Sequence, residues 1–117
     1  MMLDGSFRLI PMEERDLDEV LSLEQRSFSE PWSRKMFLGE LQGNAFATNL
    51  VLRAGEAGFG EGVRAGALLG YIMFWVVFEE LHLMNVTVLP EVRRHGLGTA
   101  LVRHALTAAG AHGARTA

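Results

Sequence analysis

The stretch "MNVTVLPEVRRHGLGTALV", Met84–Val102, changes periodicity half-way. Its first part reads as a β-strand that Pro90 stops, and from Gly96 it reads as a helix. Between the two stand two arginines, a histidine and two glycines one residue apart. The first turn of a helix carries N–H groups without intrahelical partners and a partial positive charge, so phosphates dock there. Gly96 and Gly98 lack the Cβ atoms that would block close approach. Arg93, Arg94 and His95 add charge at the same point. A P-loop requires Lys and then Ser or Thr after its last glycine, but Gly98 is followed by Thr99 and Ala100. A dinucleotide fingerprint requires glycine where Leu101 stands and an acidic residue about twenty positions on. The pattern that remains is R-x-x-G-x-G, read as Arg93, Gly96 and Gly98. Its alternative is a glycine-rich helix start that merely packs closely.

The chain has 117 residues, enough for one small domain over residues 1–117. Hydrophobic residues make up 49% of it and charged residues 21%, which supports a packed core. The net charge of −3 argues against nucleic-acid binding through bulk charge. There are no cysteines, which excludes disulfides and thiolate chemistry and suits a reducing compartment. The opening "MMLDGSFRLI" lacks the basic and apolar regions of a secretory signal. The longest apolar run, "YIMFWVVF", is far short of the ~20 residues that cross a bilayer. These features lead to the expectation of a soluble cytoplasmic domain with no membrane association.

Working outward from the opening stretch, Ser6–Ile10 reads as a short strand closed by Pro11. Met12–Arg26 reads as a helix with Leu17, Val20, Leu21 and Phe28 at three- and four-residue steps. Acidic Glu13, Glu14 and Asp16 suit its first turn. Ser33 is a cap for a second helix over Arg34–Gln42. Ala45–Ala54 and Ala67–Phe78 read as strands, with a glycine-laden turn between them. The second of these is apolar almost throughout, so both of its faces are expected to be covered. Glu79 and Glu80 form a reversal, Leu81–Leu89 a fourth strand, and Gly96–Ala109 the last helix. The expected class is α/β: a mixed sheet with helices packed against it.

The fourth strand carries an irregularity. Its polar residues are His82, Asn85 and Thr87, spaced three and then two apart. A regular strand alternates with period two. The odd step predicts a β-bulge near Leu83–Met84, which bends the strand and releases a main-chain group from the ladder. The alternative is that Asn85 is a tolerated polar residue on a half-wet face.

The segments "LDEVLSLEQRSFSEPWS" (Leu17–Ser33) and "MNVTVLPEVRRHGLGTALV" together resemble the GNAT superfamily of N-acetyltransferases. Within it they are most similar to the bacterial ribosomal-protein-alanine N-acetyltransferases, over about Phe7 to Ala117. The resemblance implies acetyl-CoA as co-substrate, with no metal, and a protein N-terminus as acceptor, a ribosomal protein being the implied one. It implies that the backbone of Val86, Thr87 and Val88 pairs with the pantetheine arm. Arg93 would take the family's R/Q position, and the amides of Arg94, His95, Gly96, Leu97, Gly98 and Thr99 would bind the pyrophosphate. The bulge fits a family in which the fourth strand splays from the fifth to admit the thioester. The family's glutamate base on the fifth strand and tyrosine acid on the following helix lie past "HGARTA", where this chain stops. The expected fold is therefore GNAT-type without its C-terminal strands and last helix.

Acetyl transfer to an amine needs a neutral amine, a polarised thioester carbonyl and a proton for the thiolate. A backbone N–H near Val86 suits the second need; losing such a donor costs ~3 kcal/mol in comparable sites. His82 is the candidate for proton handling, because histidine titrates near neutral pH; its alternative is a half-exposed strand histidine. Pro31 and Trp32 resemble the family's loop that helps form the peptide entrance, with a hydrophobic anchor for the second helix as their equal alternative, and Asn85 is the further residue expected to face the acceptor. Glu24, near the apolar stripe of the first helix, reads as a structural hydrogen bond or an exposed edge, with a substrate contact as its alternative. Tyr71 and Trp75 read as core, Glu79 and Glu80 as a solvated turn, and Arg103 as a solvated face with the cofactor's outer phosphate as its other reading. His95, His104 and His112 lack metal-ligand spacing.

The reading is direct transfer from acetyl-CoA to an N-terminal amine in a ternary complex, without a covalent enzyme intermediate. The alternatives are a small-molecule or lysine acetyltransferase and a non-catalytic acyl-CoA-binding module. An exposed fourth-strand edge also invites self-association. The two arginines generate a test. Replacing both, Arg93→Ala with Arg94→Ala, weakens coenzyme A binding while the circular dichroism spectrum stays native. The loss is larger at low salt, because salt screens exposed charge. Unchanged affinity would contradict a phosphate role for the pair.

Overall fold

A computed structural model of the chain describes residues 7–55, 64–90 and 96–111. Its elements run β1 (Phe7–Pro11), a 3-10 turn (Glu14–Asp16), α1 (Leu17–Ser27), α2 (Arg34–Gly43), β2 (Ala47–Ala54), β3 (Leu68–Val77), β4 (Glu80–Val88) and α3 (Leu97–Ala111). The four strands form one sheet in the order β1-β2-β3-β4. Each pairs antiparallel with its neighbour. The mixed sheet expected from sequence is therefore antiparallel throughout the described residues. For β3 and β4 the cause is local, since Val77 pairs with Glu80 across a two-residue reversal.

Each element has a local cause. The chain enters α1 through a capping box, in which the Glu13 N–H donates to Asp16 Oδ2 at 2.7 Å. Regular helix accordingly starts at Leu17 rather than at Met12. Asp16 and Glu19 both accept from Arg53 Nη2, at 2.7 and 2.8 Å, which fastens the start of α1 to β2. Ser33 caps α2, its Oγ accepting from the Met36 N–H at 3.3 Å. The β3–β4 hairpin turns on Phe78 and Glu79. Phe78 has φ 57°, the left-handed sign that two-residue hairpins of twisted strands demand at a turn position.

Two cores sandwich the sheet. On one face α1 and α2 bring Leu17, Val20, Leu23 and Phe37 onto Val51, Tyr71 and Met73. On the other, α3 lays Leu101 and Ala105 on Leu52, Ile72, Phe74 and Leu81. β3 is thus covered on both faces, as its unbroken apolar run predicts.

β4 carries the bulge. Met73 pairs with Asn85 and Phe74 with Leu83, so Met84 is the extra residue. The bulge lets His82, Asn85 and Thr87 share the α1 side of the sheet despite their uneven spacing. Beyond it β4 runs unusually close to β3. A Cβ built on Gly70 would lie 2.5 Å from the main-chain oxygen of Thr87 and 3.2 Å from Val88 Cα. No side chain fits there without moving one strand. Gly70→Ala should therefore cost about 1–3 kcal/mol, the range for forced overpacking. In thermal unfolding this reads as a fall of several degrees; an unchanged melting temperature would show that β3 and β4 part freely.

Candidate functional site

The last third of β4 and the first turns of α3 converge on an open cleft of about 620 Å³. Its lining is Val86, Thr87 and Val88 of β4, Gly98, Thr99, Val102 and Arg103 of α3, and Ser27 and Phe28 at the end of α1. The floor is the outer edge of the sheet. The Leu89 N–H donates to Leu69 O at 2.7 Å, on the β3 side. By the alternation of an antiparallel ladder, Val86 and Val88 direct their main-chain groups to the opposite side, along the cleft.

The α3 wall is a helix start. The Ala100 N–H donates to Gly96 O at 3.0 Å, the first turn of the helix. The nitrogens of Leu97, Gly98 and Thr99 precede the helical ladder, where anions are held. Gly96 has φ 72°, a left-handed geometry that glycine takes without strain. Gly98 differs from it. Among the described residues a Cβ there would meet only Val88 Cγ2 at 3.7 Å, an ordinary contact, so their packing does not demand a glycine.

Of the sequence-derived candidates, Val86, Thr87, Val88, Gly98 and Thr99 share this cleft, and Gly96 and Leu97 open the helix that forms its wall. Arg93, Arg94 and His95 lie outside the described residues. His82 does not line the cleft: it is exposed on the α1 side of the sheet, its Nε2 3.5 Å from Glu80 Oε1. Pro31 is exposed in the α1–α2 loop. Trp32 is half-buried, its ring 5.4 Å from that of Phe37.

Asn85 departs from the acceptor-facing role expected of it. Its side chain is buried, its Nδ2 donates to Glu24 Oε1 at 2.8 Å, and its Oδ1 accepts from Thr87 Oγ1 at 2.9 Å. The cause is Glu24, which is only 1% exposed. Besides Asn85, its carboxylate accepts from the Tyr71 hydroxyl and from the Trp32 N–H at 2.9 Å. A carboxylate on an apolar stripe has to find donors once it is buried. The stripe position was the signal for this network, although its partners are remote in sequence. Ser27, Phe28 and Val102 were not legible as cleft residues, because nothing local brings α1 and α3 to the same strand edge.

A family model for the acetyltransferase (GNAT) family matches residues 17–117. The chain belongs to that family. A Bacillus subtilis protein, provisionally named a [ribosomal protein bS18]-alanine N-acetyltransferase, is 33% identical over 91 residues, covering 78% of this chain and 54% of its own length. The crystal structure of the ribosomal-protein-alanine N-acetyltransferase of Escherichia coli superposes with TM-score 0.70 at 27% identity, over 92% of this chain and 61% of that one. The PaiA N-acetyltransferase of Thermoplasma acidophilum, solved in complex with coenzyme A, shares the fold with TM-score 0.70 at 17% identity, over 92% of this chain and 74% of its own. This chain spans about half the length of the curated relatives it matches.

Tyr71 reports on the Glu24 network. Burial, and after it the hydrogen bond to Glu24, raises its pKa far above the ordinary tyrosine value. Because the folded value exceeds the unfolded one, the stability it contributes is complete below about pH 10 and is lost as pH rises beyond it. Tyr71 is the only tyrosine in the chain, so the phenolate absorbance isolates it. The folded protein should show no phenolate band at about pH 10, and the band should appear on unfolding. A half-formed band at that pH in the folded state would contradict the network.

Proposed function

We propose that this domain binds acetyl-CoA in the β4–α3 cleft and directs its acetyl group to the α-amino group of a protein N-terminus. An N-terminal alanine on a ribosomal protein is the acceptor that the relatives' names point to. The observation that carries the proposal is the convergence of an outward-facing strand edge with a bare helix start. The edge offers alternating donors and acceptors to an extended amide-bearing arm, in the manner of an added strand. The helix start offers main-chain nitrogens and positive potential to a diphosphate. Pantetheine joined to a pyrophosphate has these two halves in that order. Gly98 supports the assignment, since its missing Cβ is unexplained by packing among the described residues.

In this reading the thioester lies towards the bulge at Met84, where the ladder is interrupted. A main-chain N–H near Val86 polarises its carbonyl, and the incoming amine attacks directly. The carbon–sulfur bond breaks and the thiolate leaves with coenzyme A. The amine must arrive neutral, and the proton it sheds as the new amide forms passes through solvent to the departing thiolate. The α1–α2 loop with Pro31 and Trp32 stands beside α1, whose end forms one wall of the cleft, which suits an entrance for the acceptor.

Radiolabelled acetyl-CoA tests this reading with two peptides, one beginning with a free alanine and one identical but blocked at its N-terminus. Label should enter only the free peptide. Equal labelling of both would assign the activity to a side-chain amine. Coenzyme A binding without label transfer would assign the chain to the binding-module reading.

A further inference from the structure

Ser27 is the last residue of α1 and lines the cleft opposite α3, across the edge of β4. Its hydroxyl oxygen is sealed from solvent and has no hydrogen-bond partner among the described residues. That is unusual for its place. A serine at a helix end ordinarily bonds back to the carbonyl one turn earlier, and a buried hydroxyl without a bond destabilises the fold that holds it. The neighbouring N–H, that of Phe28, is already given to Glu24 O at 3.1 Å, so the helix end is closed without help from the serine.

We infer that Ser27 is a binding contact for the amide-bearing arm of the acyl donor. This rests on the proposed use of the cleft by acetyl-CoA. The remaining surface of Ser27 faces the cleft, and a serine side chain moves readily between staggered rotamers. Rotation about χ1 carries Oγ from its sealed position towards the groove, where an arm lying along Val86 and Val88 passes. A hydroxyl can donate to an amide carbonyl or accept from an amide N–H, so it suits either face of such an arm. The arm is then held from two sides, by the main chain of β4 and by Ser27.

The test is Ser27→Ala, compared with the wild-type chain by calorimetric titration. The ligands are coenzyme A and phosphoadenosine diphosphate, its nucleotide half without the arm. The Kd for coenzyme A should rise roughly three- to tenfold, the weight of one neutral hydrogen bond. The Kd for the nucleotide half should not change. The melting temperature of the free variant should stay level or rise, because the substitution removes an unpaired buried group. Equal coenzyme A affinity in the two proteins would overturn the inference while leaving the cofactor site standing. So would a loss that extends to the nucleotide half, or a lower melting temperature, which would mean that the hydroxyl is bonded within the protein. A wild-type chain that binds no coenzyme A would overturn the proposed function itself.

Discussion

The carboxylate of Glu24 draws donors from three separate segments: the Trp32 N–H of the α1–α2 loop, the Tyr71 hydroxyl of β3 and the Asn85 amide of β4. A buried charge of this kind is tolerable only while every donor stays in place. It therefore fixes three relations at once: where the α1–α2 loop leaves the helix, how α1 lies on the sheet, and which way Asn85 turns after the bulge. Thr87 extends the network by one further bond, through Asn85, onto the floor of the cleft. The shape of the cleft and the path of the loop are thus set by the same few hydrogen bonds.

The bulge at Met84 is the second constraint, and it works with the first. Were β4 to alternate regularly through Met84 instead of bulging there, Asn85 would fall on the α3 face of the sheet, amid Ile72, Phe74 and Leu101. A one-residue slip moves every later side chain across the sheet. With the bulge, the polar pair Asn85 and Thr87 faces Glu24, while Val86 and Val88 pack towards α3. The strand leaves the bulge polar on its helix-α1 side and apolar on its α3 side. Gly70 then allows β4 to lie close against β3. Family membership is consistent with this geometry and is carried by the match over residues 17–117.

Much of this arrangement was readable in the chain because it is local. The uneven spacing of His82, Asn85 and Thr87 placed the bulge within a residue of Met84. Ser33 announced the start of α2, and the apolar run of β3 announced a strand covered on both faces. Contacts between distant segments were not readable. Glu24 sits on a helix stripe whose edge is ordinarily solvated, and its three donors lie 8, 47 and 61 residues away. Asn85 was expected at the acceptor side because its polarity was visible and its partner was not. The Ser27–Phe28 wall depends on where α1 ends relative to a strand nearly sixty residues later. The antiparallel order of all four strands depends on pairing, which side-chain periodicity alone does not encode.

The central claim is that the outer edge of β4 and the first turn of α3 together hold coenzyme A. At 12.9 kDa the chain suits amide-by-amide titration by nuclear magnetic resonance. Adding coenzyme A should shift the amide signals of Val86, Val88, Leu97, Gly98 and Thr99 together, with one shared affinity, and leave those of β1 and α2 in place. Shifts centred on other elements, or none at saturating ligand, would contradict the account.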